Sequence, residues 1–149
     1  MPTLTTDPEF PLAEFITEVS PNDGMFSDPN HYLRVGLSAL EIFEHAMTEG
    51  YIEETNIRDI LDLPCGHGRV SRILRARFPS ANLTVCDLDR DGVEFCAQRF
   101  DAVPVYSTKN FDDLRLSGPF DLIWVGSLIT HLSASDTVAF LRCMARTLN

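Results

Sequence analysis

Apolar positions along the chain follow two alternating rhythms. Short apolar runs at 57–63, 82–87, 103–106 and 120–125, each bounded by polar or turn residues, predict buried strands. Between them, apolar residues recur at helical spacing and predict helices over 68–78, 90–99 and 134–148. Pro79 stops the first of these, and Ser133 with Asp136 makes a near capping box for the last. An earlier helix opens at Asp28-Pro29, with Asp as N-cap and Pro at the first helical position. Leu33, Leu37, Leu40, Phe43 and Met47 form its core-facing stripe, and Gly50 ends it. Strands alternating with helices predict an α/β domain with a parallel sheet and right-handed crossovers.

Two strand ends concentrate the candidate chemistry. The first strand runs through Asp59-Ile-Leu-Asp62 into Leu-Pro64-Cys65-Gly66-His67-Gly68, and a helix follows. Glycines at such a turn remove Cβ atoms so that backbone can approach a ligand, and a helix N-terminus supplies free N–H groups. The second strand, Leu83-Thr-Val-Cys-Asp87, ends on a carboxylate about 20 residues further on, where such folds grip a ribose through its hydroxyls. Together these signals predict an adenosine cofactor. The frame Gly66-His67-Gly68-Arg69-Val70-Ser71 leaves a dinucleotide open. Asp62, however, ends the strand where it would repel a pyrophosphate and attract a cation or amine. S-adenosylmethionine has a sulfonium, an ammonium and a ribose but no phosphate, and suits this pattern better.

At these residues the chain resembles the class I S-adenosylmethionine-dependent methyltransferases. Their first motif, roughly D/E-x-G-x-G-x-G, is matched by Asp62-Leu-Pro64-Cys-Gly66-His-Gly68, with Pro64 replacing the first glycine. The resemblance implies that Asp87 and its neighbour Leu88 hold the ribose side. It also places Asn110 near the adenine amino group and Phe111 beside the ring, in Asn110-Phe-Asp-Asp-Leu114. Pro119-Phe-Asp-Leu-Ile-Trp-Val-Gly-Ser-Leu-Ile-Thr-His-Leu132 is similar to the family's fourth strand and the loop near the methyl group, which brings in Val125 and Gly126. Four motifs in order cover about 57–149. The implied architecture is a Rossmann-like doubly wound parallel sheet of order 3-2-1-4, ending after the helix that follows strand 4. The family normally continues with further strands. A fragment of a longer protein is therefore expected, with a truncated domain or an edge-covering assembly as the alternatives. The bare strand 4 edge, carrying Trp124, invites self-association.

Composition narrows the classes. The 149 residues, 44% hydrophobic, suit one domain with a real core. A net charge of −10 argues against a nucleic-acid partner and chiefly serves solubility. No apolar run reaches membrane-spanning length, and the N-terminus carries no signal pattern. The four cysteines, 65, 86, 96 and 143, lack metal-like or disulfide-like spacing and read as small hydrophobes in a reducing cytoplasm. Cys65, beside the glycines, either packs or touches cofactor, and packing is the better-supported reading. The four histidines show no ligand spacing, so no metal is expected.

Residues 1–28 form a proline-rich acidic arm without Lys or Arg, and 29–149 form the cofactor-binding domain. The family resemblance implies that the arm caps the cofactor or walls the substrate pocket; the alternative is a strap with no chemical role. His31 and Tyr32 stand at the start of the first helix, His31 as a surface group. Arg69, Arg72, Arg75 and Arg77 read as a solvated helix face. His131, just beyond strand 4, is the candidate base or else a structural loop histidine, while His67 contributes chiefly its backbone N–H. The leading function is methyl transfer to a small-molecule acceptor. The alternatives are an NAD-dependent oxidoreductase domain and a non-catalytic cofactor- or partner-binding module.

Overall fold

The computed structural model of the chain describes residues 3–4 and 15–149. Most of the arm's apolar residues up to Leu12 thus lie outside the described residues. Helix α1 spans Pro29–Glu49, capped by Asp28, whose side chain accepts the Asn30 N–H. Strand β1 (Asp59–Asp62), helix α2 (Ser71–Arg77), strand β2 (Asn82–Asp87), helix α3 (Arg90–Phe100), strand β3 (Val103–Tyr106), strand β4 (Leu122–Trp124) and helix α4 (Ala134–Thr147) follow. The four strands form one parallel sheet in the order β3-β2-β1-β4. Order and direction match the expectation.

Period-two alternation in the strands divides the core between two sheet faces. Ile60, Leu83 and Val85 point to one face, with Ala39 and Phe43 of α1, Leu74 of α2 and Val93, Cys96 and Phe100 of α3. Leu61, Leu63 and Cys86 point to the other, where Phe140 and Met144 of α4 meet Phe111, Leu114 and Phe120. Helices therefore cover both faces of the sheet.

Three boundaries differ from the sequence reading. Helix α2 begins at Ser71 rather than at 68, because Gly68 sits at φ +85° and Gly66 at φ +51°, outside the right-handed helical region. The first and fourth strands are shorter than expected. Phe120 instead bridges Leu148 in parallel: its N–H donates to the Thr147 carbonyl at 2.7 Å, and its own carbonyl accepts the Asn149 N–H at 2.8 Å. Gly50 does cap α1, but in right-handed conformation; the positive φ falls on Tyr51, at +53°.

The arginines of α2 do not form a solvated face. Arg72 is 1% exposed, and its guanidinium donates to the carbonyls of Gly68, Ile16 and Glu18 at 3.0, 2.6 and 2.9 Å. Arg75 donates to the carbonyls of Phe100, Pro79, Ala81 and Asp101, while Arg77 pairs with Glu44 and Glu54. A backbone carbonyl leaves no trace in side-chain periodicity, so this stapling role was invisible in the residue pattern.

Candidate functional site

Strands β1, β2 and β4 all deliver their carboxyl ends to one rim of the sheet. The chain leaves β1 through Leu63-Pro64, whose peptide bond is cis, and turns at Cys65–Gly68 with the Gly68 N–H donating to the Cys65 carbonyl. The two glycines serve different ends. A Cβ on Gly68 would lie 2.2 Å from Phe100, so that position must be bare for packing. A Cβ on Gly66 would meet nothing within 4 Å: that side of the turn is open space. Gly92, in the first turn of α3, was missed by the sequence reading. A Cβ there would come within 2.3 Å of the Gly66 carbonyl, so α3 can press against the turn only through a glycine. The signal was present, as a glycine inside a helical pattern.

Asp87 sits at the centre. Its Oδ2 accepts the Gly66 N–H at 2.8 Å and its Oδ1 the Asp89 N–H at 3.0 Å. Two backbone donors fix the carboxylate, and each oxygen keeps a further lone pair. Two cavities open on either side of it, both lined by Pro64 and Asp87. One, of about 220 Å³, is walled by Leu88, Ser107, Thr108, Lys109, Phe111 and Leu128. The other, of about 240 Å³, is bounded by Cys65, Gly66, His67, Trp124, Gly126 and Ser127, together with Asp23 and Met25 of the arm. Ser127, at φ +59°, holds a backbone conformation uncommon for a non-glycine residue where β4 meets this second cavity. A larger hollow of about 480 Å³, beside Arg58 and Phe78, lies at the amino ends of the strands, away from this rim.

Asp62 lies behind the turn rather than on a cavity wall. It is 1% exposed, accepts the Ser71 hydroxyl at 2.5 Å through Oδ2, and leaves Oδ1 without a partner. Burial pushes its carboxyl up to about 7; the Ser71 hydrogen bond works against that shift and the nearby Asp87 charge adds to it. Ser71, its positioning partner, was also missed. His67 ties the turn to α3: Nε2 stands 2.9 Å from Asp91 Oδ2, an oxygen that Asn22 Nδ2 also reaches at 3.0 Å. Those two hydrogen bonds hold the Asp91 carboxyl below its usual range.

The remaining predicted residues are placed variously. Cys65 is 5% exposed, belongs to the core and still edges the second cavity, while the adjoining Cys96 and then burial push its thiol up. Leu88 is exposed and Phe111 buried against Phe140, both on the first cavity. Val125 is half-buried and packs against the core cluster of Leu61 and Leu63, and Gly126 edges the second cavity. The side chain of Asn110 is turned into its own loop, accepting the Asp112 N–H and donating to Asp113. His131 stands exposed in a 3-10 turn and lines neither cavity. Tyr32 is buried, and its hydroxyl donates to Asp23 at 2.7 Å.

A crevice split by the carboxylate that ends β2, at the carboxyl ends of a 3-2-1-4 parallel sheet, defines a Rossmann-like domain of the methyltransferase type. Residues 60–149 match the family model described as a methyltransferase domain, and the chain belongs to that family. A malonyl-[acyl-carrier protein] O-methyltransferase of Acetivibrio thermocellus is 30% identical over 97 residues, 55% of this chain and 34% of that protein. The chain thus spans about a third of that relative's length. Among solved structures, an S-adenosylmethionine-bound amino pentose methyltransferase from Micromonospora echinaspora aligns with a TM-score of 0.59 at 16% identity, over 79% of this chain and 47% of that one. The N-methyltransferase NodS of Bradyrhizobium japonicum aligns at 0.58 and 18% identity, over 80% and 64%. These likenesses establish the fold.

Proposed function

We propose that the chain is the cofactor-binding part of an S-adenosylmethionine-dependent methyltransferase acting on a small molecule. The observation that carries this is the pair of cavities meeting at Asp87. A ribose diol at that carboxylate leaves the cavity with Leu88 and Phe111 for adenine, and the one at Gly66 and His67 for the amino-acid end. The open space over Gly66 and the unpartnered Oδ1 of Asp62 fit a ligand that is bulky at the turn and cationic near it.

When bound, the cofactor supplies an electrophilic methyl group on a sulfonium. The protein's share is to hold two reactants at attacking distance and keep water away. Pro64, Cys65 and Gly126 shape the floor, and Trp124 with the arm's Asp23 and Met25 walls the side where an acceptor enters. His131, outside both cavities, has no assigned part in the chemistry. Four free cysteines suit a reducing cytoplasmic setting, and among the described residues no helix is long and apolar enough to cross a membrane. The outer edge of β4 pairs with no other named strand, and self-association there is part of the reading.

Asp87→Ala should weaken S-adenosylhomocysteine binding by about 1–3 kcal/mol through loss of charge-assisted hydrogen bonds to the ribose. Calorimetry on the two proteins measures this. Equal affinity in the variant would reject the assignment of Asp87.

A further inference from the structure

The wall of the second cavity given above to the acceptor's side carries a buried carboxylate. Asp23, from the segment ahead of α1, lines it beside Met25, Trp124 and Ser127. The residue is 8% exposed, and its carboxylate is held from two sides. The Tyr32 hydroxyl donates to Oδ2 at 2.7 Å and the Met25 N–H to Oδ1 at 2.9 Å. Tyr32 is itself fixed, with the Arg69 and Arg72 guanidinium groups 4.8 and 5.5 Å from its ring centre. Among the described residues, no Lys, Arg or His forms an ion pair with Asp23. Arg69 lines the same cavity but donates its guanidinium to the Met25 carbonyl at 3.1 Å, so this dry, pre-oriented carboxylate has no cation in contact and is poised for one that arrives with a ligand. Trp124 adds an aromatic surface that attracts the same kind of group.

We propose that Asp23 is an acceptor-recognition residue and that the methyl acceptor is a small molecule presenting an amine nitrogen. The proposal rests on the methyltransferase reading above. The neutral amine is the nucleophile: its lone pair forms the N–C bond while the C–S pair stays on sulfur. The nitrogen ends as a methylammonium facing Asp23, and its surplus proton leaves to water. Asp23 attracts and orients the nitrogen, which a hydroxyl acceptor would not require.

Trp124 is the chain's single tryptophan and lines this cavity, so its fluorescence follows binding there. Butylamine and 1-butanol are titrated against the wild type and Asp23→Asn, with saturating S-adenosylhomocysteine and without it. The wild type should prefer butylamine by about tenfold or more, the weight of one charge-assisted hydrogen bond. Asp23→Asn should lose that preference, and S-adenosylhomocysteine, read by calorimetry, should still bind. Tyr32→Phe keeps the carboxylate but frees its rotation, and should retain a smaller preference of the same sign. Equal binding of amine and alcohol by the wild type, or a preference that survives in Asp23→Asn, would overturn the proposal. So would an equal loss of S-adenosylhomocysteine affinity in that variant, which would assign Asp23 to the cofactor's own ammonium. Absence of S-adenosylhomocysteine binding to the wild type rejects the methyltransferase reading and this proposal with it. Binding without an amine preference rejects this proposal alone.

Discussion

Gly68, Arg72 and Asp62 each hold the turn through a different force. Gly68 gives way to Phe100, and alanine there would meet both that ring and an unfavourable positive φ. We expect Gly68→Ala to cost about 2–4 kcal/mol of stability, measured by urea unfolding. Arg72→Met should cost about 1–3 kcal/mol in the same assay, because the half-buried Ile16 and Glu18 carbonyls lose their donor, while the Gly68 carbonyl keeps the Arg72 N–H. Asp62 makes stability depend on pH. Its folded value, about 7, lies above the 3.8 of an unperturbed carboxyl, so between those values the folded chain keeps a proton that the unfolded chain has released. Its contribution is full below about pH 4 and is lost as pH rises towards 7. Asp62→Asn should therefore flatten the fall in stability across that window. An unchanged slope would show that Asp62 titrates normally.

At the scale of elements, the strands were the most legible part. β2 and β3 lie where their apolar runs predicted; β2 is buried on both faces and so reads as a near-continuous apolar segment, while β3 is a largely exposed edge strand marked by its β-branched and aromatic residues. The start of α2 was misread because a helical pattern takes no account of φ, and Gly66 and Gly68 both turn left-handed before the helix can begin. The site was legible at the strand ends, where Asp62, Gly66 and Asp87 fall close together. Its outer walls were not, because Asp23, Met25 and Trp124 converge from segments far apart in the chain. Gly92 joins two elements, and Gly92→Ala should lever α3 off the Gly66 carbonyl. We expect weaker S-adenosylhomocysteine binding together with lower thermal stability, read by calorimetry and thermal unfolding. Wild-type affinity in a stable variant would show that this close approach does not shape the site.

On the scale of the whole molecule, a sheet with helices on both faces leaves its ligand rim exposed at one end only. The arm reaches that rim through three links: Arg72 to the Ile16 and Glu18 carbonyls, Asn22 to Asp91, and the Met25 carbonyl to Arg69. At the opposite end, Asp121 joins the start of β1 to Asn149, accepting the N–H groups of Arg58 and Asp59 through Oδ2 and the Asn149 amide through Oδ1. These partners hold the Asp121 carboxyl below its usual range, the Asn149 hydrogen bond contributing most. The ligand rim is thus framed by long-range contacts while its floor is set by two short sequence motifs. This explains why the class of cofactor could be read from the chain and the shape of the acceptor side could not. Calorimetric titration of the chain with S-adenosylmethionine, S-adenosylhomocysteine and NAD tests the central claim most directly. Micromolar binding of the first two with none of NAD is the predicted result; binding of NAD, or of none of the three, would contradict it.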